Sequence, residues 1–320
     1  MQKLPEIFNR FKDNIDNEMQ SIISAGSLPL YDMLKYHMGW IDEKGKKGDF
    51  GKGKFLRATL CILSYISTSK KKESEDCLCV MPLASSIELI HNFSLIHDDI
   101  QDNDRQRRHR PTLWSIWGKP QAINAGTAMK VLANLAIIRL GNYGISCEKQ
   151  LEVFRIINES CLKMLEGQYL DIEFENKAEV SLDEYITMIE KKTASLIEGA
   201  ILIGAALNLE ENELEKFKKF GNLLGIAFQI RDDILGIWGS QDKTGKPHAS
   251  DILKKKKSFP IVYTLSSAPD KIKKSLLKIY ESEKISKKQV LEVLQYLEDV
   301  QAEKFCEEKC RHYYELAVKE

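Results

Sequence analysis

Two short acidic stretches hold the residues best placed to do chemistry. Residues 97–105 read HDDIQDNDR. Asp98 and Asp102 are four apart, so on a helix they stack on one face, with Asp99 at their flank. Asp104 adds further negative charge. Residues 229–236 read QIRDDILG. Gln229, Asp232 and Asp233 fall at spacings of three and four, between apolar flanks from Leu223 to Phe228 and from Ile234 to Trp238. Crowded carboxylates repel one another, and a merely solvated acidic face has more polar neighbours. A helix N-terminus also attracts acids. Two acidic pairs, each set in apolar sequence, fit a divalent cation better. Carboxylate oxygens are hard ligands that suit magnesium. Magnesium seldom occupies an all-protein cage and usually bridges carboxylates to substrate phosphates. The two clusters together predict a substrate that carries a diphosphate.

A diphosphate also needs cations. Lys54 and Arg57, in GKFLR at 53–57, are three apart at the opening of an apolar helix, so both can face one anion. Arg107 and Arg108 follow the first acidic cluster. Arginine offers a bidentate fork for phosphate oxygens and lysine a point charge. Lys192 and Thr193 interrupt a helical pattern, Lys246 sits in TGKP, and a lysine tract runs from Lys254 to Lys257. Taken singly, each is an ordinary surface cation. His91 lies seven residues before Asp98, two turns of helix and about 10 Å along the axis, so it shares that face. A lone helical histidine is equally well a satisfied core residue. The chain has no G-x-S-x-G, H-E-x-x-H or P-loop pattern, which leaves nucleophilic hydrolysis and P-loop chemistry without support.

Helices must position these groups. The chain has 320 residues and only eight prolines, and apolar residues recur at helical spacing, as at Leu83, Ile87 and Ile90. The class read from this is all-α. Polar or Gly-rich breaks fall at 43–53, 67–76, 107–111 and 239–257, none of them a long linker, so one domain over 1–320 is expected. Lysine plus arginine total 47, as do aspartate plus glutamate. Zero net charge gives no global pull toward nucleic acid or an anionic membrane. Seven cysteines, an odd number set in helical patterns, suit reduced thiols and not a disulfide framework. Residues 1–10 do not read as a secretory signal, and no apolar run reaches the length of a membrane span. A cytoplasmic location is the expectation.

The motifs, in order and spacing, resemble the trans-type polyprenyl diphosphate synthases. The resemblance runs from about Gly53 to Pro260. It rests on GKFLR at 53–57, ELIHNFSLIHDDIQDNDRQRRHRPT at 88–112, EGQYLD at 166–171, KKT at 191–193, FQIRDDILGIWG at 228–239, TGKP at 244–247 and KKSFP at 256–260. It implies an all-α bundle, the isoprenoid synthase fold, around a deep central cavity, usually in a homodimer. It implies about three magnesium ions. Asp98 and Asp102 would hold two, with Asp99 supporting, and Asp232 a third, with Asp233 and Gln229 near it. Arg107, Lys192, Lys246 and Lys256 would bind the diphosphate of an allylic substrate. Lys54, Arg57, His91 and Arg108 would bind that of isopentenyl diphosphate. Thr193, Gln229 and the Lys192 carbonyl would stabilise the allylic carbocation. The reaction implied is head-to-tail condensation to a short-chain prenyl diphosphate.

Two departures stand out. Gly236 takes the place of the commoner third aspartate of the second motif, and Thr127 stands where the family often has aspartate. Phe93 and Ser94, five and four residues before Asp98, are implied to floor the product pocket. The small Ser94 and the bulky Phe93 favour geranylgeranyl diphosphate, with farnesyl diphosphate as the alternative. A terpene cyclase would not need the second anion site that Lys54, Arg57 and Arg108 supply. Head-to-head condensation fits the motif spacing less well. A non-catalytic partner subunit usually loses an aspartate motif, and this chain keeps the first whole and two aspartates of the second.

Overall fold

The computed structural model describes residues 6–24, 26–69, 77–177, 179–239 and 249–320. The class is all-α, as the periodicity implies. The helices are α1 (Glu6–Arg10), α2 (Lys12–Ile23), α3 (Pro29–His37), α4 (Leu56–Thr68), α5 (Met81–Gln101), α6 (Leu113–Ile138), α7 (Cys147–Asn176) and α8 (Leu182–Ile189). There follow α9 (Ser195–Ala206), α10 (Glu215–Trp238), α11 (Ser250–Leu253), α12 (Phe259–Ser267), α13 (Asp270–Glu281), α14 (Lys287–Asp299) and α15 (Ala302–Lys319). Among the described residues the only paired strands are Gln106–Arg107 and Arg110–Pro111, a small antiparallel hairpin. All seven cysteines are free thiols.

Two compact units divide the chain. One takes residues 4–159 and 199–215, the other 160–198 and 216–320. The first is built on α5, which is buried without a break from Met81 to Ile90. A helix buried on every side needs neighbours all round, and α5 packs against α2, α4 and α6. The hydroxyl of Ser86 donates to the Ala133 carbonyl at 2.7 Å, which ties α5 to α6. α6 kinks at Gly118, just ahead of Pro120. The loop between α3 and α4 is anchored from α2. Buried Asp16 accepts from the Trp40 indole at 2.7 Å and from the Lys52 ammonium at 2.9 Å.

The second unit holds two adjoining cores. One joins Tyr185, Met188 and Ile189 to Ile226, Ile230, Ile234 and Phe259. The other gathers Ile237, Ile252, Ile261, Leu276, Val293 and Leu297. Tyr263 stacks on Phe305 with centroids 3.8 Å apart. Capping boxes at Ser181/Glu184 and Ser286/Gln289 start α8 and α14.

Two helical segments, Cys77–Gln101 and Leu113–Tyr143, are long and apolar enough to cross a membrane, which the sequence reading did not find. In the first, 83% of the apolar stretch is buried inside the protein, as befits a core helix. In the second only 44% is buried. Its uncovered side carries Ile123, Val131, Leu135 and Ile138.

Candidate active site

In the first unit, the acidic motif sits at the end of α5. The Asp102 N–H donates to the Asp98 carbonyl at 2.8 Å, so the two residues lie one helical turn apart as their spacing predicts. Asp98 is half-buried and Asp102 exposed. Asp99 turns the other way and is 3% exposed. Its Oδ1 accepts from Arg107 Nε at 2.8 Å. Burial pushes the Asp99 carboxyl up to about 6, against the pull of Arg107. Asp99 therefore anchors Arg107 from beneath. The turn after the helix is pinned by donors to the Asp104 carbonyl, Trp114 Nε1 at 2.8 Å and Thr112 Oγ1 at 2.9 Å.

A cationic cluster lies close by. Arg57 opens α4, and its Nε is buried without a hydrogen-bond partner. Beneath it is Glu88, buried on α5. Glu88 Oε2 accepts from the Ala58 N–H at 3.3 Å, which caps the first turn of α4. Burial pushes Glu88 up, and the charge of Arg57 pulls it back. His91, half-buried on α5, is held well below its ordinary value by burial and by Arg57, Arg108 and Arg107. Arg108 rests on the glycine loop that leads to Lys54, with Nη1 3.4 Å from the Gly51 carbonyl. The structure thus brings Arg57, His91 and Arg108 into one electrostatic neighbourhood. Lys54 is exposed on the loop that Arg108 touches.

Sequence reasoning missed two members. Glu88 is a lone acid in an apolar stretch, three residues before His91, and that spacing was the available signal. His37, on α3, has a buried Nε2 with no hydrogen-bond partner. Burial and three arginines, Arg108, Arg107 and Arg110, keep its imidazole neutral. It left no signal, because α3 is remote in sequence. Farther along α5, Phe93 is buried and meets the His97 ring edge-on at 4.9 Å. The Ser94 hydroxyl donates to the His91 carbonyl at 2.7 Å. Thr127 is exposed on α6.

In the second unit, the interruption at Lys192–Thr193 is a single π-helical turn, Glu190–Ala194. Such a turn leaves part of the backbone ladder open and is frequent at functional sites. The EGQYLD segment on α7 holds it. Glu166 Oε2 accepts from Lys191 Nζ at 2.5 Å, and Asp171 pairs with Lys192. Gly167 lies between them, where an added Cβ would overlap the Lys192 backbone. From the turn, Thr193 Oγ1 donates to Gln229 Oε1 at 2.7 Å. Gln229 Nε2 donates to Asp233 Oδ1 at 2.8 Å. Asp233 is fully buried and also accepts from Tyr185 Oη at 2.5 Å and from the Phe259 N–H at 3.2 Å. Burial pushes it up to about 6, while Lys256, Tyr185 and Gln229 pull it down. Asp232, by contrast, is exposed. Burial opposes the charge of Lys256, but Asp233, Asp251, Asp171 and Asp232 together push it above the ordinary lysine value. Tyr185, Asp171 and Asp251 had no assigned role in the sequence. Lys246 lies outside the described residues.

Residues 40–297 match the family described as Polyprenyl synthetase. A short chain isoprenyl diphosphate synthase of Methanocaldococcus jannaschii is 36% identical over 294 residues, 87% of this chain and 86% of that protein. The chain belongs to the polyprenyl synthetase family. As a polyprenyl synthetase it is a prenyltransferase of isoprenoid diphosphates. A (2E,6E)-farnesyl diphosphate synthase of Mycobacterium bovis is also 36% identical over 255 residues, which are 79% of this chain and 65% of that protein. Among solved structures, a geranylgeranyl pyrophosphate synthetase from Pyrococcus horikoshii Ot3 superposes with a TM-score of 0.85 at 32% identity, covering 98% of this chain and 91% of that one.

The contact between α7 and the π-turn gives a direct test of how this polyprenyl synthetase holds Lys192. Gly167→Ala places a methyl against the Lys192 backbone and should cost about 1–3 kcal/mol of stability, the usual penalty of overpacking. Thermal denaturation measures it. An unchanged melting temperature would mean that the turn yields freely and is not held by α7.

Proposed function

We propose that the chain condenses isopentenyl diphosphate head to tail with an allylic prenyl diphosphate, and that the product is geranylgeranyl diphosphate. The observation that carries the reading is the cluster of Arg57, His91 and Arg108 beside the acidic motif of the same unit. A cyclase, which ionises one diphosphate, has no use for that second anion site.

The aspartates of both acidic motifs offer hard oxygen donors. This fits magnesium, which takes much of its shell from phosphate and water. Asp98 and Asp102 would hold it at the first motif and Asp232 at the second, and the bound ions supply Lewis-acid stabilisation of the departing diphosphate. Asp99 and Asp233 contribute from beneath by fixing Arg107 and Gln229. Arg107, Lys192, Lys246 and Lys256 grip the allylic diphosphate. Lys54, Arg57, His91 and Arg108 grip that of isopentenyl diphosphate. Thr193 spends its proton on Gln229, which leaves its oxygen lone pairs for an allylic cation. The Lys192 carbonyl and the Gln229 dipole act in the same sense. The final proton leaves on the released diphosphate.

Relatives are named for both farnesyl and geranylgeranyl products, so product length rests on Phe93 and Ser94. We also place the protein in the cytoplasm, which seven free thiols support. A second copy of the chain is the proposed cover for the α6 stripe. Val131, Leu135 and Ile138 are each more than half exposed. A helix face of this kind suits the self-matching contact of a two-fold dimer.

A product assay tests the activity. Purified protein, magnesium, labelled isopentenyl diphosphate and each allylic primer in turn should give prenyl diphosphates longer than the primer. Absence of elongation with every primer sinks the reading. In the same assay Phe93→Ala should shift the product to longer chains, and an unchanged length would remove Phe93 from the pocket floor. Leu135→Glu should turn the dimer into a monomer by light scattering, and a native variant already monomeric would refute the dimer.

A further inference from the structure

The hairpin that carries Arg107 and Arg108 turns through Arg108 and His109, whose φ angles are 51° and 61°. A two-residue hairpin loop with two such angles favours glycine, asparagine or aspartate, because larger side chains crowd the backbone there. Arginine and histidine stay in that region only where their surroundings over-determine it. On one strand Asp99 holds Arg107. On the other the brace is Arg110. Its Nη1 donates to the Tyr36 carbonyl at 3.0 Å and its Nη2 to the Ile41 carbonyl at 2.8 Å. Its guanidinium lies over two rings, 3.9 Å from the Tyr36 centroid and 5.1 Å from that of Phe50. Tyr36 returns the contact, its Oη donating to the Pro111 carbonyl at 2.9 Å.

We infer that Arg110 is a positioning residue for the second anion site, joining the glycine loop that leads to Lys54 to the hairpin that carries Arg108. Phe50 belongs to that loop, and so does Gly51, whose carbonyl lies 3.4 Å from Arg108 Nη1. Lys54 and Arg108 are both exposed and both cationic, so something other than their own attraction must hold them near one another. Arg110 does so from behind. It spends two N–H groups on carbonyls at and just past the end of α3, and its plane on two rings. That commits it to protein partners and makes it a brace, not a ligand. A lysine has neither the fork for two carbonyls nor the plane to lie on a ring.

The inference rests on the reading that Lys54 and Arg108 grip isopentenyl diphosphate, so its test includes a probe that needs no turnover. The probe is inorganic diphosphate in EDTA, which leaves the acidic motifs without the ions they need to bind it. Binding is measured by calorimetry on the full chain. Arg110→Lys keeps the charge and loses the fork and the plane. It should weaken that binding about tenfold, the scale of one charge-assisted contact, and raise the KM for isopentenyl diphosphate to a similar degree. The KM for the allylic primer should stay, because Arg107 keeps its own anchor on Asp99. Phe50→Leu removes only the loop's hold on Arg110 and should give the same pattern at about threefold, the scale of one cation–ring contact. It carries the test alone if Arg110→Lys does not fold. A folded Arg110→Lys protein that binds diphosphate as the native chain does overturns the inference, since charge would then suffice. An equal rise in both KM values would show a general structural role and overturn it too. If no primer is elongated and diphosphate binding still falls across this series, the proposed reaction is rejected and Arg110 keeps its place.

Discussion

A carboxylate taken out of water must be given partners or lose its charge, and Asp233 is the place where this chain meets that demand. The desolvation of one ion costs several kcal/mol even after relaxation. Hydrogen bonds to a charged acceptor return about 1.5–3 kcal/mol each. Asp233 accepts three, from Tyr185, Gln229 and the Phe259 N–H, and lies in the field of Lys256. Its acidity still stands at about 6, so burial keeps a small advantage. Every partner is thereby committed. The Gln229 amide cannot turn without freeing an N–H beside Asp233. With Gln229 fixed, its carbonyl is fixed, and so is the Thr193 hydroxyl that donates to it. The π-turn that carries Thr193 and Lys192 is thus held from α10 as well as from α7.

The first unit uses the same device. Asp99 is buried and commits Arg107, while Asp98 beside it is half-buried. Asp233 is buried and commits Gln229, while Asp232 beside it stays open. Adjacent helical residues point about 100° apart, so one aspartate of each pair can face inward only if the other faces outward. The doubled aspartate is therefore two residues with two duties. The inner one sets geometry and the outer one faces away from that contact. Glu88 repeats the inner duty for Arg57, and it caps α4 at the same time.

Much of this was legible. The four-residue spacing of Asp98 and Asp102, the interruption at Lys192 and the helical class all follow from local rules of period and turn chemistry. The split within each aspartate pair was not read, because three- and four-residue spacing assigns Asp232 and Asp233 to one broad face and leaves burial undecided. Glu88, Tyr185 and His37 were missed for a different reason. Each acts through a contact far away in the chain, such as Tyr185 to Asp233, 48 residues on. The sequence shows Gly236 in place of the commoner aspartate but not that the Asp251 carboxyl lies against it. Asp251, fifteen residues later, is visible only once α11 has folded back on α10.

The choice of cation in each unit follows from what burial does to it. Arginine keeps its charge almost regardless of surroundings, whereas a buried lysine readily gives up its proton. Arg57 is accordingly half-buried, with one carboxylate, Glu88, as its counterion. Lys256 is half-buried in the field of four, Asp233, Asp251, Asp171 and Asp232. The arginine cluster has its own consequence. Its field and the low dielectric hold His37 and His91 neutral, and a neutral imidazole hydrogen-bonds without adding to the repulsion among Arg57, Arg107 and Arg108. The first unit can therefore crowd donors together without accumulating cations that nothing offsets. The second reaches the same end with lysines only by surrounding them with acids, and a chain of zero net charge has the carboxylates to do so.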